Sequence, residues 1–99
     1  MADAALENAR KARRVTVSIP SRVRYAGDKH AEIEIKDLSF YGFSAAGAPA
    51  LEAGSFVSVD LPSIGLVRAR IAWIRGGLFG AVFPTAVDVR KCVLPARQG

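Results

Sequence analysis

Residues 15–42, VTVSIPSRVRYAGDKHAEIEIKDLSFYG, contain two runs in which apolar and polar residues alternate. Alternation with a period of two is typical of a β-strand that buries one face. The runs span residues 15–25 and 31–36, and the turn-forming residues 26–29 separate them, with Gly27 free to adopt positive φ. This stretch therefore predicts an antiparallel β-hairpin at the start of the fold.

The alternation breaks at Asp37. Continued strictly, it would place Asp37 and Ser39 on the buried face, where an unpaired polar group is costly. We therefore expect the strand to end or to bulge here, which turns Leu38 inward and frees Asp37 and Ser39. We expect Gly42 to allow a left-handed residue from which the chain restarts as a further strand.

The rest of the chain continues the β pattern. Further strands are predicted at residues 56–61, 66–75 and 78–83, with Trp73 on the inward face and Gly76-Gly77 as a tight hairpin. Residues 85–94 read as a short helix with Thr85 as its N-cap. About six strands and one terminal helix predict an all-β fold, a small antiparallel β-barrel, with a sandwich as the main rival.

Composition narrows the class of protein. The 99 residues suffice for one domain, and a hydrophobic fraction of 51% with 23% charged residues is ordinary for a globular chain. Cys92 is the only cysteine, which excludes an intramolecular disulfide and a zinc site built on paired thiolates. We find neither a signal peptide nor an apolar run that could cross a bilayer, so we expect a cytoplasmic protein without membrane insertion.

A cluster of cations precedes the first strand. Arg10-Lys11-Ala12-Arg13-Arg14 places four positive side chains in five positions, within a chain of net charge +5. Like charges at this density repel one another unless solvent screens them or an anion bridges them. The cluster therefore predicts an anionic partner without identifying it.

Two short motifs together suggest a family. Arg10-x-x-x-Arg14 lies directly before a strand, and Asp37-x-Ser39-x-x-Gly42 follows the first hairpin. This pair resembles the R-x-x-x-R and [D/N]-x-S-x-x-G signature of PilZ domains. Residues 67–83 are also similar to the closing strands of that family, so the resemblance covers nearly the whole chain past Ala9.

The resemblance implies a six-stranded β-barrel with a short C-terminal helix, and a receptor for the bacterial second messenger cyclic di-GMP. It implies that Arg10 and Arg14 hold phosphate and guanine and that Asp37, Ser39 and Gly42 form the opposing surface. We expect Lys11, Arg13 and Tyr41 to assist. The resemblance places a PilZ domain at residues 10–95. Outside it, the small polar residues 1–9 predict a flexible arm, and residues 96–99 predict a frayed tail. We expect a downstream effector protein as a further partner, and neither a cofactor nor a metal.

Two other functions remain open. A basic barrel could bind single-stranded nucleic acid through the cationic segment and the outward Arg68 and Arg70, although aromatic residues make up only 8% of the chain and few are available for stacking. The chain could instead be a protein adaptor that ignores the ligand. The sequence argues against an enzyme, because it shows no carboxylate pair, metal cluster or nucleophile with a base.

Overall fold

The computed structural model describes residues 14–47 and 51–93, without the side chain of Val93. Six antiparallel strands close into a barrel in the order β1-β2-β3-β6-β5-β4, which confirms the predicted fold class. The strands are β1 (Val15–Tyr25), β2 (Lys29–Ser39), β3 (Gly42–Ala46), β4 (Phe56–Leu61), β5 (Gly65–Arg75) and β6 (Leu78–Val82). The predicted arm at residues 1–9 and the tail at 96–99 lie outside the described residues.

Two tight hairpins set the register of the barrel. Ala26 and Gly27 both have positive φ in the turn between β1 and β2, and Gly76 and Gly77 have φ of 54° and 83° between β5 and β6. The second hairpin is a two-residue turn, in which positive φ at both central residues gives a twist that matches the flanking strands. The first loop has three residues, because Tyr25 pairs with Lys29. The sequence signal for both hairpins is confirmed. The second strand is longer than the predicted run of residues 31–36. It begins at Lys29 and continues through Asp37 to Ser39.

The core fills the barrel with side chains from all six strands. Phe43 and Phe79 are buried and meet edge to face, with ring centroids 5.9 Å apart and planes at 80°. This geometry is one that aromatic pairs prefer. Leu38 is fully buried, as the break in the alternation predicts.

The C-terminal helix is shorter than predicted. The helix α1 spans Arg90–Val93, whereas the sequence predicted a start after Thr85. The preceding segment is tied to the barrel, because the Val87 N–H donates to the carbonyl oxygen of Phe40. Asp88 then accepts a hydrogen bond from the Arg90 backbone N–H and two from its guanidinium, which lower the pKa of Asp88 to about 2.

Candidate functional site

Two β-bulges change the direction of two side chains on the barrel wall. Between Ile35 and Asp37, β2 advances two residues while β3 advances one, and β5 does the same against β6 between Ile71 and Trp73. Each extra residue reverses the alternation of the strand. Asp37 and Trp73 therefore lie on the outer face, although strict alternation would have placed both in the core.

The two bulges bring four residues into one line across the wall. Asp37, Ser44, Gly80 and Trp73 are successive cross-strand partners on β2, β3, β6 and β5, and we call them the outward row. Trp73 is 39% exposed, so its predicted place in the core is wrong. A Cβ at Gly80 would collide with the indole, so glycine here allows Trp73 to lie against the backbone of β6.

Asp37 is held from both sides by hydrogen bonds. Arg14 Nη1 donates to Asp37 Oδ1 at 2.5 Å, and the Ser44 hydroxyl donates to Asp37 Oδ2 at 2.6 Å. The Arg14 side chain is 56% exposed, and exposed ion pairs contribute only about 0.2–1 kcal/mol to stability. A bound anion can therefore recruit the Arg14 guanidinium at little cost to the fold.

Ser39 and Gly42 shape the turn between β2 and β3. Ser39 is buried, and its hydroxyl donates to the carbonyl oxygen of Gly42 at 3.3 Å and accepts from the N–H of Tyr41 at 3.2 Å. The expectation that the break frees Ser39 is therefore wrong, while Asp37 is partly exposed as expected. The expectation of positive φ at Gly42 is also wrong. Glycine is needed because a Cβ would collide with the carbonyl oxygen of Ala81 on β6.

A groove of about 270 Å³ runs along this part of the wall. Arg14, Tyr41 and Trp73 line it together with Ser39 and Gly42. The groove is slightly smaller than most pockets that enclose a whole ligand, which span about 300–1,000 Å³. Three other predicted site residues, Arg10, Lys11 and Arg13, lie outside the described residues.

Three residues of the candidate site, Ser44, Gly80 and Trp73, were not among the site residues predicted from the sequence. A two-residue turn fixes register, and counting back from the Arg75 and Leu78 pair places Trp73 opposite Gly80. A glycine inside a strand with a large aromatic opposite is a recognisable pairing. The sequence thus carried a signal for contact between these two residues, but none for the face on which they lie.

Residues 14–47 and 51–93 contain no group of three or more His, Cys, Asp or Glu side chains placed to hold a metal ion. No helix within these residues is long and apolar enough to span a membrane.

Comparison with known protein families identifies the family of this chain. The family model of the PilZ domain matches residues 8–94. The chain belongs to the PilZ domain family. A comparison with curated proteins finds no match. PilZ domains form a family of cyclic di-GMP-binding receptors and adaptors, and theirs is a binding rather than a catalytic domain. The matched range begins before Arg10, so it includes the R-x-x-x-R segment, of which the structure describes Arg14 but not residues 10–13.

Proposed function

We propose that this PilZ domain is a cytoplasmic receptor that binds cyclic di-GMP at the outward row and relays the binding to an effector protein. The observation that carries the proposal is that a cation and an indole line one groove and that the cation contacts a carboxylate beside it. Arg14 and Asp37 are in contact, and Trp73 lies on the same cross-strand row.

These three groups match the chemistry of the ligand. Cyclic di-GMP carries two negative phosphates and two guanines. A guanidinium pairs bidentately with phosphate or with guanine O6 and N7, so Arg14 suits either group. The carboxylate of Asp37 accepts from guanine N1–H and N2–H, and the indole of Trp73 offers a flat apolar surface on which a base can stack.

Ser39 and Gly42 support the site by shaping the turn. The Ser39 hydroxyl holds the Tyr41 N–H, and this fixes the turn that carries Tyr41 to the rim of the groove. Gly42 lets β3 approach β6 closely, which keeps the outward row continuous across the two strands. We therefore assign Ser39 and Gly42 to positioning, and direct contact to Arg14, Asp37 and Trp73.

The size of the groove and the free energy of binding both indicate that the segment before Arg14 also contacts the ligand. Charge-assisted hydrogen bonds contribute about 1.5–3 kcal/mol each, and stacking contributes about 1–3 kcal/mol per base. Micromolar binding needs about 8 kcal/mol after the cost of association. The contacts that Arg14, Asp37 and Trp73 can make with one half of the ligand approach this binding free energy. We therefore assign the other half of the ligand to Arg10, with Lys11 and Arg13 assisting. Engagement of this segment by the ligand would present a changed surface to the effector.

Calorimetric titration of the full chain with cyclic di-GMP tests the proposal. We expect Arg14→Ala and Arg10→Ala each to weaken binding tenfold or more, which corresponds to about 1.4 kcal/mol. Arg22→Ala is a matched control, because Arg22 is also an exposed arginine paired with a carboxylate, that of Glu32. We expect the control to bind within twofold of wild type. Absence of binding to the wild-type protein, or an equal loss in Arg22→Ala, would refute the proposal.

A further inference from the structure

The wall formed by β1, β4 and β5 carries a second set of cations. In the closed strand order, β4 lies three strands from β3 in either direction, so the centre of this wall is on the other side of the barrel from Ser44. Its edge strand β5 also carries Trp73 near its C-terminal end, and Arg70 pairs with Val82, which lines the groove. The outer face of the wall contains Arg24, Arg68 and Arg70, with the exposed Phe56 between the cations. We call these four residues the basic face.

The strand register defines how the basic face is arranged. Ser58 pairs with Arg24 on one side and with Arg68 on the other, so the two guanidinium groups flank one hydroxyl. Strands are spaced by about 4.7–4.9 Å, so the backbones of Arg24 and Arg68 are about 9–10 Å apart. Phe56 pairs with Arg70 in the next outward row. The result is a short line of donors beside an exposed ring.

The charge of the basic face is not neutralised within the described residues. Arg22 pairs with Glu32, but Arg24, Arg68 and Arg70 form no ion pair in residues 14–47 and 51–93. The one acidic side chain on the outer side of β4 is Asp60, which lies opposite Leu66 in the row beyond Ser58. Like charges this close repel one another and destabilise the barrel slightly. An anionic partner would relieve that repulsion.

Arg68 is held in position by the aromatic ring. Its Cζ atom lies 4.3 Å from the centroid of Phe56, within the range of a cation–π interaction. A depression of about 290 Å³ beside it is lined by Arg24, Gly27, Ser58 and Arg68. Phe56 and Leu66 remain 46% and 61% exposed. The face therefore combines oriented cations with unfilled apolar area.

We infer that the basic face docks an acidic peptide segment of a partner protein, with carboxylates on Arg24 and Arg68 and an apolar side chain against Phe56. Guanidinium groups bind carboxylates bidentately, and the exposed rings and aliphatic side chains suit the apolar residue. Nucleic acid fits less well, because Arg68 covers one side of Phe56 and the face offers no succession of aromatic rings for successive bases. This inference does not depend on the nucleotide site, which uses other residues.

A titration with defined peptides tests the inference. The probe is a synthetic peptide that alternates Glu with Leu and Phe, added to the isotope-labelled full chain and followed by amide chemical shifts. The control peptide has Gln in place of every Glu. We expect shifts at Ser58, Arg68 and the Gly27 turn with the acidic peptide only. Arg24→Gln and Arg68→Gln should each weaken binding fivefold or more, while Lys36→Gln, which removes the same charge from β2, should bind within twofold of wild type.

Three outcomes would overturn the inference. The first is absence of chemical-shift changes with the acidic peptide. The second is an equal loss of peptide affinity in Lys36→Gln, which would indicate attraction by net charge alone. The third is tighter binding of oligothymidine than of the peptide through Arg24 and Arg68. Affinity for cyclic di-GMP is measured in parallel. We expect Arg68→Gln to leave it within twofold of wild type, so failure of the peptide site and failure of the nucleotide site give different results.

Discussion

The two bulges that build the outward row differ in how they hold their side chains. On β2, the extra residue turns out Asp37, which hydrogen bonds to Arg14 and Ser44 fix in direction. On β5, the extra residue turns out Trp73, which rests on the bare backbone of Gly80, with the Arg75 guanidinium 6.0 Å from its ring. The Asp37 end of the outward row therefore offers directional hydrogen bonds, and the Trp73 end offers a flat surface.

This difference suggests a division of labour within the site. Hydrogen bonds to a carboxylate discriminate between bases, because a base that lacks the matching N–H groups leaves the carboxylate unpaired. Stacking contributes affinity with little discrimination, since every base has a flat face. The bulge on β2 should therefore set specificity for guanine, and the bulge on β5 should add affinity.

The largest expected effect is from Asp37. We expect Asp37→Ala to weaken cyclic di-GMP binding tenfold or more, because it removes the acceptor for guanine and the partner that orients Arg14. We also expect a smaller preference for cyclic di-GMP over cyclic di-AMP. Calorimetry with both ligands measures this. An unchanged ratio of the two affinities would contradict the assignment of specificity to the β2 bulge.

A smaller effect is expected from Trp73. Trp73→Ala should weaken cyclic di-GMP and cyclic di-AMP by a similar factor, in line with stacking energies of about 1–3 kcal/mol per base. Trp73→Phe should recover part of the loss, since a smaller ring still stacks. If the alanine variant lost guanine preference instead, the proposed division between the two bulges would be wrong.

The smallest expected effect is from Ser44, whose hydroxyl donates to the Asp37 carboxylate. Ser44→Ala removes one hydrogen bond to Asp37, and hydrogen bonds to charged groups contribute about 1.5–3 kcal/mol when fully formed. Because Asp37 is partly exposed and water can replace the hydroxyl, we expect a loss of binding of two- to fivefold. Ser44→Thr keeps the hydroxyl and should bind like wild type. A loss as large as that of Asp37→Ala would show that Ser44 itself contacts the ligand.

The same two bulges explain what the sequence could predict. At Asp37 a polar residue falls on the buried phase of the strand, and the cost of burying it predicted the break. At Trp73 the residue on the buried phase is apolar, so burial carried no penalty and the second break left no signal. The bounds of β1 and β4 and the glycine hairpins were predictable because alternation and turn chemistry are local.

Contacts between distant segments were harder to predict. The sequence identified Asp37 as a site residue but not its hydrogen bond from Ser44, since that bond depends on the register between β2 and β3 after the bulge. It placed the C-terminal helix too early for a similar reason. The bond from Val87 to Phe40 joins two segments that are remote in sequence and holds the chain extended.

The position of Trp73 has a practical consequence for measurement. Trp73 is the only tryptophan in the chain, and it lies in the groove of the proposed site rather than in the core. Its intrinsic fluorescence therefore reports on one location. A base stacked on the indole would quench the emission, whereas a peptide bound at Arg24 and Arg68 lies towards the other end of β5 and would leave it unchanged. The fluorescence of the unlabelled protein therefore distinguishes its two proposed ligands.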